Sequence, residues 1–278
     1  MNAISPCRLL LSLLTLLLSA CASAPKLEQS GFSSPVELSP VRADSHARVN
    51  RFLQPSLLAA ARSVAPPVVL PGADLADPAI SAEQSALVAN RAARDLCRRL
   101  SSYFLIVTGE HAADLSIELQ PIGMRATGRG AAGFSALAGI VVPGPFRLPA
   151  GLGGLAMAAR ITAADGQPVL VETWSRGANA VTDNPQISSI GDAYQLAGTY
   201  ARELARVLVA AGFDPDSPRP RLAQDQIKAG RALCQERFGA ASVAGRGAAW
   251  LLPLAPEAID EGAATASGVS IGDEAEDE

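Results

Sequence analysis

The sequence predicts one α/β (α+β) domain, a small mixed β-sheet with helices packed on one face. Three observations carry this reading. Leu115, Ile117 and Leu119 alternate with Ser116, Glu118 and Gln120, as a strand with one buried face requires. Apolar residues recur every three or four positions from Ala82 to Phe104 and again from Leu196 to Ala211, which is helical spacing. The elements follow the order β-α-β, then a hairpin, then α, a succession that layers helices against a mixed sheet.

Taken in order, the chain opens on an apolar run, Leu9 to Leu18, preceded by Arg8 and ended by Ser19-Ala20-Cys21. The run is about ten residues long, against roughly 20 for a membrane-spanning helix, and suits an export signal. Leu18-Ser19-Ala20-Cys21 resembles a bacterial lipobox: a large apolar residue, two small ones and a thiol. The resemblance implies cleavage after Ala20, a diacylglyceryl thioether on Cys21 and acylation of the new amine. Each buried methylene contributes about 0.8 kcal/mol, so two or more chains anchor firmly. Ala22 follows the cysteine where an inner-membrane retention signal often places Asp, so the expected location is the periplasmic face of the outer membrane. Residues 1–20 are thus read as signal and residues 21–50 as a lipidated tether, since that stretch holds Ser, Pro, Ala and alternating charges without periodicity.

The domain is expected over residues 51–212. Pro66 to Pro71 encloses Val68-Val69-Leu70, a short first or edge strand because proline cannot donate to a ladder. Ser81 and Gln84 have capping-box spacing at the start of the first helix, whose Arg91, Arg94, Arg98 and Arg99 are read as a solvated face. A hairpin is expected from about Ala156 to Arg176, turning at Asp165-Gly166 in a type I′ geometry, with Trp174 as a packing anchor near its end. Asp192 is read as the cap of the next helix, which Gly212 ends. A further helix is expected within residues 213–239. Residues 240–278, rich in Gly, Ala and acids, are read as a disordered acidic tail.

Residues 128–154 form a Gly-rich apolar insertion without a charge between Arg129 and Arg147. It is too broken by Gly and Pro to be a lipid-exposed span. Either it folds back over the sheet, or Phe134, Leu137, Ile140 and Val141 form a contact for a partner or an apolar ligand. Gly128 to Gly133 is formally GxGxxG, but the acidic residue a dinucleotide site needs about 20 residues later is missing. Gly268-Val269-Ser270-Ile271-Gly272 imitates a nucleophile elbow, yet both histidines, His46 and His111, precede it. Those histidines also lack metal-ligand spacing. No catalytic residue, cofactor or metal is therefore assigned, and the chain is not read as an enzyme.

The net charge of −4 is concentrated in the tail, and the remainder is mildly basic with scattered arginines. Without a basic stripe, nucleic acid is not an expected partner; the membrane, through the anchor, and an envelope protein are. No oligomeric state follows from the sequence. Of four cysteines, Cys7 leaves with the signal and Cys21 carries lipid. Cys97 and Cys234 remain for an oxidising compartment, where they either pair as a disulfide or serve as two small buried hydrophobes.

In sequence, the lipobox, Ser30-Gly31-Phe32, Arg51 to Pro55 before the Pro-flanked strand, Leu115 to Leu119, the hairpin at Asp165-Gly166 and the helix Asp192 to Leu208 resemble a family of Gram-negative lipoproteins known as domain of unknown function 3313. The likeness runs over roughly residues 27–211. It implies a small α/β lipoprotein domain without an established activity. The expected role is a binding or scaffolding module in the envelope; the alternative is a carrier or sensor of a small apolar ligand walled by the Gly-rich segment.

Overall fold

A computed structural model describes residues 23–27, 32, 36–72, 77–108, 113–128, 152–179, 188–212, 221–239, 255–260 and 262. The sheet grows outward from the two longest antiparallel ladders. β6 (Leu115–Arg125) pairs with β7 (Gly154–Ala163), and β7 with β8 (Pro168–Gly177). β8 continues antiparallel to β2 (Ala47–Leu53) and β2 to β1 (Ser39–Ala43). On the far side, β6 pairs in parallel with two short strands, β3 (Ser63–Val64) and β4 (Val68–Val69), and β3 with β5 (Leu105–Ile106). The order is β1-β2-β8-β7-β6-β3-β5, with β4 beside β6. This is the mixed sheet the sequence predicts. The Pro-flanked strand is β4, and it lies at the edge of β6, although three strands precede it.

One face of the sheet carries α2 (Ala82–Leu100) and α3 (Gly191–Ala211), after a short α1 (Pro55–Ala60). Leu115, Ile117 and Leu119 of β6, Leu155, Met157 and Ile161 of β7, and Trp174 of β8 enter one apolar core with Leu87, Leu96, Leu100, Leu204 and Leu208 from the helices. Trp174 is a packing anchor as expected, its ring 5.3 Å from that of Tyr200. The capping box holds: Gln84 N donates to Ser81 Oγ, and Ser81 N donates to Gln84 Oε1.

Four local expectations change. The tether reading fails for the stretch from Ser39 onward, because β1 and the start of β2 lie inside it and extend the sheet. Residues 23–27 are bound as well: Ala24 N donates to Ser45 O, and Ser175 Oγ donates to Pro25 O. They lie across the second face, where Phe32, Ile122, Ala156 and Ala158 form a smaller cluster. Gly154 allows this close approach, since a Cβ there would come within 2.8 Å of the Pro25 ring. The hairpin turn is not type I′. Only Gly166 has positive φ, at 82°, and Ala163 N reaches Gln167 O across a three-residue loop, which needs a single left-handed position. Asp192 does not cap α3. The helix begins one residue earlier, and the carboxylate instead accepts from Gly153 N at 2.7 Å.

The remaining change is at the C-terminus. α4 (Gln224–Phe238) is the helix expected within residues 213–239. Beyond it, in the stretch read as disordered, Pro256–Ile259 forms a one-turn helix, α5, and Asp260 and Gly262 are buried. The reason is a charge partner far away in sequence, described next. No helix among the described residues is long and apolar enough to cross a membrane.

Candidate functional site

Cys21 and the contact residues Phe134, Leu137, Ile140 and Val141 lie outside the described residues. Their flanks do not. β6 ends in Arg125, and Leu152 and Gly153 lead into β7, so the residues flanking the Gly-rich insertion meet at one corner of the sheet. Arg125 binds two pieces of chain there. Its Nη2 donates to Ser23 O at 2.6 Å and to Gly153 O at 3.2 Å, and its Nε donates to Leu152 O at 3.2 Å. Around it, Ala126 N donates to Asp77 Oδ2, Thr127 N to Ser189 O, and Asp192 N to Thr127 Oγ1. Burial draws the Arg125 guanidinium down from its ordinary value, against the opposing charges of Asp192 and Asp77. The corner thus holds Ser23, two residues from Cys21, beside the residues flanking the apolar insertion.

Cys97 of α2 and Cys234 of α4 are joined as a disulfide, with Cα atoms 5.8 Å apart and a sequence separation of 137. Both are fully buried. The bond fastens α4 to the helical layer.

A second polar cluster has no counterpart in the sequence reading. Arg94, expected on a solvated face, is 1% exposed. Its Nη1 donates to Asp260 Oδ1 at 2.6 Å and its Nη2 to Asp260 Oδ2 at 2.7 Å, a two-pronged pairing of planar guanidinium with carboxylate. The Tyr194 hydroxyl donates to Asp260 Oδ2 and accepts from Arg94 Nη2. Asn90 Nδ2 donates to Phe238 O at 2.9 Å and to Gly262 O at 3.3 Å, and Gly262 N donates to Asp260 Oδ1. Three residues before Asp260, Glu257 accepts from Gln84 Nε2 at 2.7 Å and Ser188 Oγ at 2.9 Å, close to the amino ends of α2 and α3. Burial raises the Asp260 carboxyl, but the Arg94 and Tyr194 hydrogen bonds and the Arg94 charge outweigh it and hold the group below its ordinary value. The cluster is built to recognise a carboxylate.

The acid at the foot of β6 has a structural task. Asp114 Oδ2 accepts from Arg62 N, Ser63 N and Ser63 Oγ, tying β3 to β6. Glu110 and His111 lie outside the described residues, as do Gly268 to Gly272. Among the described residues no group of three or more His, Cys, Asp or Glu is gathered as a metal site would need.

Helical spacing alone does not expose the Arg94 site: Arg94 and Arg98 are four residues apart and share one stripe with Leu87, yet Arg94 is buried and Arg98 exposed. The family model for DUF3313, described as a protein of unknown function, matches residues 28–204. No curated protein matches the sequence. In structure the chain is similar to PelC, solved as a dodecamer from Paraburkholderia phytofirmans, at 12% identity and a TM-score of 0.35, over 58% of this chain and 96% of that one. It is also similar to a DUF4136 family protein from Bacteroides thetaiotaomicron, at 8% identity and a TM-score of 0.32, over 61% and 98% of the two chains. Neither likeness bears on activity or assembly.

Proposed function

The chain belongs to DUF3313, a family of proteins of unknown function, and from that premise we propose that it is a lipid-anchored binding or scaffolding module of the cell envelope. It is held at the periplasmic face of the outer membrane and has no catalytic role. The observation that carries the reading is the Arg125 corner. Ser23 is bound there, and the two residues back to Cys21 span at most about 7 Å. A lipid on Cys21 therefore sets this corner of the domain against the bilayer. The residues flanking the apolar insertion sit at the same corner, so that insertion is presented at the membrane surface, to lipid or to a neighbouring envelope protein.

Replacing Cys21 with Ser tests the anchor: fatty-acid labelling is expected to vanish and the protein to leave the membrane fraction. Labelling that persists would overturn the reading. A photo-crosslinker at position 140 in intact cells tests the module. A discrete protein adduct supports scaffolding, whereas adducts to lipid or to nothing would remove the protein partner. Charged residues at Ile140 and Val141 are expected to abolish that adduct and leave the domain folded.

A further inference from the structure

The family match ends at residue 204, yet the chain spends α4 and the segment 255–262 on covering the helical layer beyond it. That segment is read in unusual detail. Asp260 is gripped by both prongs of Arg94 and by the Tyr194 hydroxyl, Glu257 by Gln84 and Ser188, and the backbone of Gly262 by Asn90. Gly262 fits where nothing larger would: a Cβ there would stand 2.3 Å from Asn90 Nδ2 and 2.6 Å from Phe238 O. A surface so specified has an acidic position, a second acid three residues on, and a glycine two residues after that.

We propose that the recess formed by Arg94, Tyr194, Asn90 and Gln84 is a docking site for an acidic peptide segment, and that residues 255–262 occupy it in cis. The trans occupant is a partner segment of the same chemistry, with carboxylates three residues apart followed by a glycine. The charge balance favours such a ligand. Arg94 is buried and must face a carboxylate, since a buried guanidinium left alone is strongly unfavourable. The Glu257 position also lies near two helix amino ends, which favour a negative charge. Because the cis segment belongs to the same chain as the recess, its effective concentration there is on the order of millimolar. The site is therefore self-masked, and a partner gains entry when the cis segment is weakened. This inference is independent of the lipid-anchored reading.

The test uses the full chain carrying Gly262→Ala, which unseats the cis segment and leaves every recess side chain in place. A fluorescein-labelled peptide of residues 255–264 is titrated in, and its anisotropy is read. The peptide is expected to bind this variant about tenfold or more tighter than the wild-type chain. A peptide carrying Asp260→Asn should lose about tenfold or more through its weakened bond to Arg94. Should Gly262→Ala fail to fold or to free the segment in hydrogen exchange, Asp260→Lys in the full chain replaces it, because a lysine cannot sit beside Arg94. Equal binding by the wild-type and opened chains, indifference to the Asp260→Asn change, or no binding by an opened chain each overturns the proposal. A wild-type dimer with exchanged segments would assign the occupant to a second copy and overturn the partner reading.

Discussion

Among the described residues, Arg94–Asp260 and Arg51–Glu172 each set an arginine against a buried acid, and they differ in what surrounds that acid. Asp260 receives Arg94 through both oxygens, then the Tyr194 hydroxyl and the Gly262 amide, and its carboxyl is held below its ordinary value. Glu172 on β8 meets Arg51 of β2 through one oxygen, Oε2, at 2.6 Å. Burial there outweighs Arg51, the charge of Glu203 adds to it, and the Glu172 carboxyl is pushed up. Beside it the Tyr200 hydroxyl is fully buried and lacks a hydrogen-bond partner among the described residues. The same two charges are therefore well solvated by protein in one place and poorly in the other. The number of donors aimed at the carboxylate, more than the presence of an arginine, decides whether a buried acid stays ionised.

The largest effect should come from Arg94→Ala. It leaves Asp260 buried without a counter-charge, at a cost of about 3–5 kcal/mol. Because residues 255–262 can detach, the loss is expected as faster hydrogen exchange in that segment, with protection of β6 to β8 retained. Equal loss throughout the sheet would mean that the segment is part of the global core. Removing the disulfide by Cys97→Ala with Cys234→Ala should cost about 2–5 kcal/mol, for a bond that closes so long a stretch of chain. Since Phe238 at the end of α4 shares Asn90 with Gly262, exchange in 255–262 should also quicken. A change confined to α4 would separate the two.

The smaller pair of effects separates the acids by sign. Asp260→Asn should destabilise by about 1.5–3 kcal/mol at neutral pH, the range for a hydrogen bond to a charged group. Because the folded Asp260 value is depressed, its contribution is fully present above the ordinary 3.8 and is lost as pH falls through the lower folded value. The difference from wild type should close in acid. Glu172→Gln should cost less than about 1.5 kcal/mol, and its pH dependence should run the other way. With the folded Glu172 value raised, stability is fully present below 4.5 and is lost as pH rises through the folded value, so the variant gains on wild type toward neutral pH. Denaturant melts at several pH values check both, and parallel curves would show that the two sites do not differ.

Much of the frame was legible in the residues. The alternation in Leu115 to Leu119, the capping box at Ser81 and the periodicity of α2 and α3 all report local geometry that neighbouring residues impose on one another. The misreadings share a cause. Arg94 was placed in solvent because its acid is Asp260, 166 residues away. Asp192, a good cap by composition, turned to Gly153 because the backbone there offered a closer amide. Ser39 to Ala43 has no apolar alternation to betray a strand; it is fully exposed and owes its form to pairing with β2. The acidic tail looked unstructured because nothing local gives Asp260 a reason to be buried.

By itself, then, the sequence determined the periodic elements, the one-sided burial of the central strand and the class of fold, because these depend on spacings of two to four residues. Tertiary structure alone decided which charges are buried and what meets them, and where residues 23–27 rest. Its largest decision was to bring Ser23 and the residues flanking the Gly-rich insertion together on Arg125. Such meetings depend on contacts between residues 27 to 166 positions apart, and no periodicity along the chain encodes them.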